Sequence, residues 1–209
     1  MVSPGDFIKI EYTGKEQNGH VFDSTHGEVA KKLHGREGPL LAVLGSGMLL
    51  PGLQEALEQM KKGEEREVEL SPDQAFGHRH KQLLKVFAEK ELHKFDILPQ
   101  AGLHVELDSE EGKMIGTIRS VNSGRVVIDF NHPLADQKVR YTVKLVDAAH
   151  ETSDKIRFLL DEWELEGTVK LEKQRLALQL KKMPEEKKKE ELSKTIRQLF
   201  PEIKEVEIK

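Results

Sequence analysis

Apolar and polar residues alternate at the start of the chain. Ile8, Ile10 and Tyr12 are separated by Lys9, Glu11 and Thr13, the two-residue period of a half-buried strand. Gln17-Asn18-Gly19 has turn chemistry, and Val21-Phe22-Asp23-Ser24 follows as a second strand. His26 to Gly38 is polar with three glycines and reads as a loop. Leu40 to Leu44 is a short apolar strand, broken by Gly45-Ser46-Gly47. After Pro51-Gly52, Leu53, Ala56, Leu57 and Met60 fall on one face of a short helix. Gly63 stands where a glycine ends a helix, and Glu65 to Leu70 returns as a strand. Val139, Tyr141, Val143 and Leu145 repeat the two-residue period much later.

Between these segments the pattern changes. Leu103–Leu107, Lys113–Val121 and Arg125–Asp129 read as β segments joined by turns at Asp108–Gly112 and Asn122–Gly124, a small all-β unit. From Thr152 a third pattern begins. Ile156, Leu159, Leu160 and Trp163 make an amphipathic stripe. Leu176, Leu178 and Leu180 alternate, Leu192, Ile196 and Leu199 mark a second helix, and Val206 and Ile208 a last strand. The fold class is α+β: an antiparallel sheet wrapped on a short helix, an inserted all-β domain and a C-terminal α+β module. The boundaries expected are 1–77 with 129–150, then 78–128, then 151–209.

Charge narrows the classes of function. The 209 residues hold 33 Lys plus Arg and 37 Asp plus Glu, a net charge of −4 that lacks the footprint of a nucleic-acid binder. No apolar run reaches the ~20 residues that cross a bilayer, and Met1–Asp6 has no secretory signal character. With no cysteine, disulfides, thiolate metal sites and cysteine nucleophiles are excluded. The compartment expected is the cytoplasm. Gly45-Ser46-Gly47 is neither a P-loop nor a dinucleotide fingerprint, and neither G-x-S-x-G nor H-E-x-x-H occurs. His78 and His80 are the only close histidine pair, and a site needs more ligands than two. Neither metal nor cofactor is expected.

What remains is a set of apolar and weakly polar residues at strand ends around one short helix, and their order resembles a known family. Ile10-Glu11-Tyr12-Thr13-Gly14, Phe22-Asp23-Ser24, Leu44 to Leu53, Met60 to Glu64 and Ser71 to Gly77 follow the motifs of the FK506-binding-protein (FKBP) type of peptidyl-prolyl isomerase. Asn131 to Ala135 with Val139 to Val143 looks like the return strand of its SlyD-like branch. In that branch an insert-in-flap chaperone domain interrupts the isomerase domain, and residues 78–128 lie where the insert belongs. The C-terminal module is similar to that of long-type archaeal members.

The resemblance implies a site. Tyr12, Asp23, Leu50 and Phe76 would serve catalysis, with the Leu50 N–H holding a substrate carbonyl. Phe22, Leu53 and Tyr141 would line the proline pocket with them. Leu40, Met48 and Leu49 would form its rim, and His132 and Leu134 would close its side. Leu53 stands where many members have Trp, Phe76 where many have Tyr, and Leu40 replaces an aromatic. In the insert, Val86, Phe87, Leu92, Ile97, Leu98, Leu103, Val105, Met114 and Ile115 are more apolar positions than so small a unit easily buries. The function implied is isomerisation of Xaa-Pro bonds in unfolded or partly folded polypeptides, together with chaperone action. The alternative is a non-catalytic holdase on the same scaffold. The C-terminal module, marginal in size alone, is expected to dock on the isomerase domain or to form a homodimer.

Overall fold

The structure is a computed structural model and describes residues 1–109 and 112–209. It forms two compact units, Met1–Glu69 with Arg140–Lys209 and Leu70–Val139. In chain order the elements are β1 (Phe7–Glu16), β2 (Val21–Ser24), α1 (Gly27–His34), β3 (Leu40–Val43), α2 (Pro51–Glu58) and β4 (Glu65–Leu70). The second unit holds β5 (Leu84–Ala88), α3 (Glu89–His93), β6 (His104–Ser109), β7 (Gly112–Asn122) and β8 (Arg125–Asp129). Then come β9 (Val139–Ala149), α4 (Thr152–Glu162), β10 (Gly167–Glu172), β11 (Arg175–Leu180), α5 (Glu186–Leu199) and β12 (Glu205–Ile208).

The main sheet of the first unit runs β2-β1-β9-β4, with β3 also on β1. Two strands share one edge of β1: β2 pairs along Thr13–Lys15 and β3 along Phe7–Ile10. The segment between them is not the loop expected from its polarity. It forms α1, which buries Ala30 and ends on Gly35 in the left-handed region (φ 73°). α2 starts with Pro51, whose fixed φ suits a first helical turn, and buries Leu53 and Leu57. The helix stops at Gln59, earlier than Gly63 suggested. Gly63 instead has φ 83° in a turn, where its N–H donates to the Leu145 carbonyl at 2.7 Å. Met60, past the helix end, is still fully buried.

Residues 151–209 belong to the same unit. Their sheet runs β10-β11-β12, antiparallel then parallel. Ile156, Leu160, Leu176, Leu192 and Ile196 form one core with Phe7 and Ala149 of the main sheet, and Leu41 and Val43 pack against it. Phe7 meets Phe200 at 5.6 Å between ring centres. Lys9 lays its ammonium 4.5 Å from the Phe158 ring centre and pairs with Asp161 at 2.8 Å. The module therefore takes its cover from this chain's own sheet, the internal one of the two docking modes.

In the second unit the sheet runs β5-β8-β7-β6 over a core of Leu92, Val105, Ile118, Val126 and Ile128. The three expected strands are present, and β5 and the one-turn α3 are added to them. At Asn122–Gly124, Ser123 (φ 47°) and Gly124 (φ 75°) both take the left-handed conformation of a tight hairpin. The centre of the other expected turn, Glu110-Glu111, lies outside the described residues. Asp129, 2% exposed at its side chain, binds Arg79, the Arg119 Nε at 3.0 Å and the Asn131 side-chain amide at 2.7 Å. Among the described residues no helix is long and apolar enough to cross a membrane.

Candidate functional site

Alternation along β1 sends Tyr12 into the interior, where it is 7% exposed. On β9, Tyr141 is buried at 3%. Their ring centres lie 5.9 Å apart, and Phe22 of β2 stands edge-on to Tyr141 at 5.7 Å. Such tilted and edge-on contacts suit the aromatic quadrupole. Gly14 makes the cluster possible. A Cβ there would fall 2.9 Å from the Phe22 ring tip and from two carbons of the Tyr141 ring.

One charge borders these rings. Tyr12 donates its hydroxyl to Asp23 Oδ2 at 3.0 Å. Burial, and then the Asp23 charge, push the Tyr12 phenol well above its ordinary range. Burial and the same carboxylate push Tyr141 up. Both hydroxyls therefore stay protonated, and Tyr12 is a permanent donor. The Tyr12 N–H also donates to Thr25 Oγ1 at 2.9 Å, which ties β1 to the end of β2.

The other expected residues of this unit lie at helix and strand ends. Leu50 is the N-cap of α2, so its N–H lies outside the helix's own hydrogen bonds while its carbonyl accepts from Leu53 and Gln54. Leu53 is buried. Leu40 and Leu49 are half-buried, and Met48 is 61% exposed. Phe76, His132 and Leu134 belong to the second unit. There Phe76 and His132 stack in parallel with centres 4.3 Å apart. Burial lowers the His132 pKa; the ring face is covered although the residue as a whole still reaches solvent. Leu134 is buried at 8%.

Reasoning from sequence missed His34. From the last turn of α1 its Nε2 meets Asp23 Oδ1 at 2.9 Å and lies 3.5 Å from the Tyr12 hydroxyl. Lys31, Lys32 and His34 followed by Gly35 are a helix-exit signal that could have found it.

The rest of the second unit carries an apolar cleft of about 640 Å³, lined among others by Phe87, Leu92, Phe95, Ile97 and Leu98. Leu92 and Val105 are core, whereas Val86, Leu98 and Ile115 are at least 63% exposed, as is Phe95, which the sequence reading had not included. The ring nitrogens of His78 face carboxylates, Nδ1 with Asp136 at 2.8 Å and Nε2 with Asp73 at 3.3 Å.

Residues 1–103 match the family described as FKBP-type peptidyl-prolyl cis-trans isomerase, and residues 85–134 match the one described as FKBP26, IF domain. The chain is 30% identical over 159 residues to the short-type peptidyl-prolyl cis-trans isomerase of Methanocaldococcus jannaschii, covering 74% of this chain and 98% of that protein. The chain belongs to the FKBP-type peptidyl-prolyl cis-trans isomerase family. It is also 31% identical to the FKBP-type 16 kDa isomerase of Escherichia coli, over 70% of this chain and 93% of the relative. The SlyD isomerase of Treponema pallidum is 28% identical, over 73% and 81%. Within the FKBP family's sheet, the cluster of buried Tyr12 and Tyr141 with half-buried Phe22, and Asp23 at its border, is the chemically distinctive feature of the first unit.

Proposed function

We propose that this FKBP-type isomerase catalyses cis–trans interconversion of Xaa-Pro bonds in unfolded or partly folded polypeptides at the Tyr12–Phe22–Tyr141 cluster. The barrier is the loss of amide resonance, about 18–20 kcal/mol, and no bond breaks. Catalysis therefore needs selective binding of the twisted amide and no nucleophile. A water-poor ring cluster favours that state, because the charge-separated form of the planar amide loses stabilisation there. Leu53 serves as a pocket wall, and the Leu50 N–H as donor to a substrate carbonyl. Leu40, Met48 and Leu49 form the rim. Phe76 and His132 offer a flat stacked face on the second unit, with Leu134 beside them in the chain.

The observation that carries this reading is the three-ring cluster, two buried tyrosines and the half-buried Phe22, beside a carboxylate that Tyr12 holds by a 3.0 Å hydrogen bond. The exposed apolar residues and cleft of the second unit support a further role, transient binding of unfolded clients as an insert-in-flap domain. The domain division 1–77 with 129–150, 78–128 and 151–209, a long-type arrangement and a cytoplasmic setting belong to the same proposal. The internal docking of the C-terminal module leaves a homodimer supported only by the free edge of β12. Light scattering at micromolar concentration decides that point, and a monomer removes the homodimer.

A protease-free isomerisation assay on an Ala-Leu-Pro-Phe peptide, with chelator-treated protein, tests the activity. Accelerated exchange is expected. Exchange at the uncatalysed rate together with suppression of client aggregation would establish the holdase instead.

A further inference from the structure

We infer that His34 is a positioning residue for the isomerase site, and that the C-terminal module holds it in place through the Arg36–Glu162 pair. The inference rests on the isomerase reading above and extends it to two parts of the chain not otherwise connected with catalysis.

Asp23 is held at both oxygens. Oδ2 accepts from the Tyr12 hydroxyl at 3.0 Å, and Oδ1 contacts His34 Nε2 at 2.9 Å. Terminal torsions of Asp side chains are broad, so a single donor leaves the carboxylate plane free to turn; a second donor on the other oxygen sets it. The contact requires a proton on His34 Nε2, which the neutral Nε2–H tautomer supplies as well as the imidazolium does. The His34 ring also stands edge-on to Tyr12, with centres 6.5 Å apart at 78°. It thus braces both members of the Tyr12–Asp23 pair.

His34 has a rigid mount. It closes α1, and Gly35 turns the chain there with its N–H on the Lys31 carbonyl. Two residues on, Arg36 Nη2 reaches both carboxylate oxygens of Glu162 at 2.6 and 2.7 Å. The Gly38 N–H then donates to the Thr25 carbonyl at 3.0 Å, next to the end of β2. Glu162 is the last residue of α4, and Asp161 beside it pairs with Lys9 of β1. Carboxylates are unfavourable at a helix C-terminus, where the macrodipole is negative. Both make cation contacts outside their own helix, on β1 and on the segment that follows His34. α4 itself is fixed by Ile156, Leu159 and Leu160 in the shared core. The module's position is thereby passed to His34 over two residues of chain.

The test is a mutant cycle in the full chain, read by kcat and KM on the Xaa-Pro peptide and by melting temperature. His34→Ala is expected to lower kcat about 3- to 10-fold with KM within twofold. His34→Gln, which returns a donor amide at about the reach of Nε2, is expected to recover most of the loss. Glu162→Gln is expected to lower kcat about 2- to 3-fold alone and to add little in the His34→Ala background, since coupled residues are non-additive. Wild-type kcat in His34→Ala, or no recovery in His34→Gln at unchanged melting temperature, overturns the role of His34. Full additivity of Glu162→Gln with His34→Ala overturns the link to the module. An inactive wild type overturns the isomerase reading itself. In that case the contact is decided by NMR, where Asp23→Asn is expected to displace the ring-proton signals of His34 and unmoved signals refute it.

Discussion

Gly14→Ala adds one methyl group in the middle of the ring cluster. Gly14 pairs with Asp23 across β1 and β2, just before a register shift. Its new Cβ would lie 2.9 Å from Phe22 and from two Tyr141 ring carbons, where carbon atoms rest at about 3.5–4.0 Å. The rings would have to retreat by roughly 0.6–1 Å, and Tyr141, 3% exposed, has no solvent to retreat into. Overpacking of this kind costs about 1–3 kcal/mol. Replacing a strand glycine by alanine returns roughly 0.5–1 kcal/mol through the unfolded chain. Two rings meet the methyl, so a net loss of about 1–2 kcal/mol is expected, or roughly 2–8 °C in melting temperature at this chain length. Because the displaced rings belong to the proposed pocket, kcat/KM should fall by roughly 5- to 10-fold, equivalent to about 1–1.4 kcal/mol. Thermal circular dichroism and the peptide assay read the two quantities. Adding Phe22→Leu shortens one obstructing ring, and the double variant should melt higher than the sum of the single losses predicts. A Gly14→Ala protein with wild-type melting temperature and turnover would refute the packing argument. Lost stability with wild-type turnover would refute the placing of the rings in the active pocket.

Three further outcomes are expected. Burial pushes the Asp6 carboxyl up, but hydrogen bonds from the Ser3 N–H and hydroxyl and from His150 more than offset this, so its pKa is lowered. Its contribution is complete above the unfolded value of about 3.9 and lost as pH falls through the folded one; urea melts between pH 5 and 2 should therefore show an acid-dependent loss that shrinks in Asp6→Asn. Asp129→Ala removes a buried anion from Arg79 and Arg119, which are 30% and 49% exposed and can rehydrate, so equilibrium denaturation should show a loss of about 2–3 kcal/mol, below the 3–5 of a fully buried pair. A chain ending at His150 uncovers Phe7 and the partners of Leu41 and Val43, and calorimetry should show the first unit losing at least the ~1.5–3 kcal/mol of one large apolar side chain. An unchanged first-unit transition would show that the shared core does not form.

The ring cluster was legible in the sequence because its residues repeat at strand period and carry ordered motifs; Tyr12, Phe22 and Tyr141 come together in the first unit, and their use as a proline pocket is the proposal made above. Phe7 was not legible. It breaks the alternation of Ile8 and Ile10 and is buried because the C-terminal module covers the other face of β1. Lys9, which looked like a solvent position, places its stem and charge on Phe158 and Asp161. α1 was hidden for a similar reason. Its apolar face is only Val29, Ala30 and Leu33, set between glycines in a polar stretch, and Ala30 alone of these is fully buried; the helix's purpose lies in the placing of His34. β5 lacks the alternation by which β1 and β9 declare themselves, being a nearly continuous apolar run with one exposed face, whereas β10 alternates over only two apolar residues, Val169 and Leu171.

The shared core that joins Phe7 to Leu192, Ile196 and Ile208 sets an order of events during synthesis. About 200 residues separate the two sides of that core, which at ~5–20 residues per second means roughly 10–40 s of translation. Until the last of that core is made, the cover over Phe7 on β1 is incomplete. The second unit is contiguous in sequence and can close as soon as β8 is made, ahead of the sheet into which it is spliced. A folding assistant of this design therefore leaves Phe7 on its first strand waiting longest for cover, although β2 and β3 pair with that strand early, and the insert is complete before the sheet around it.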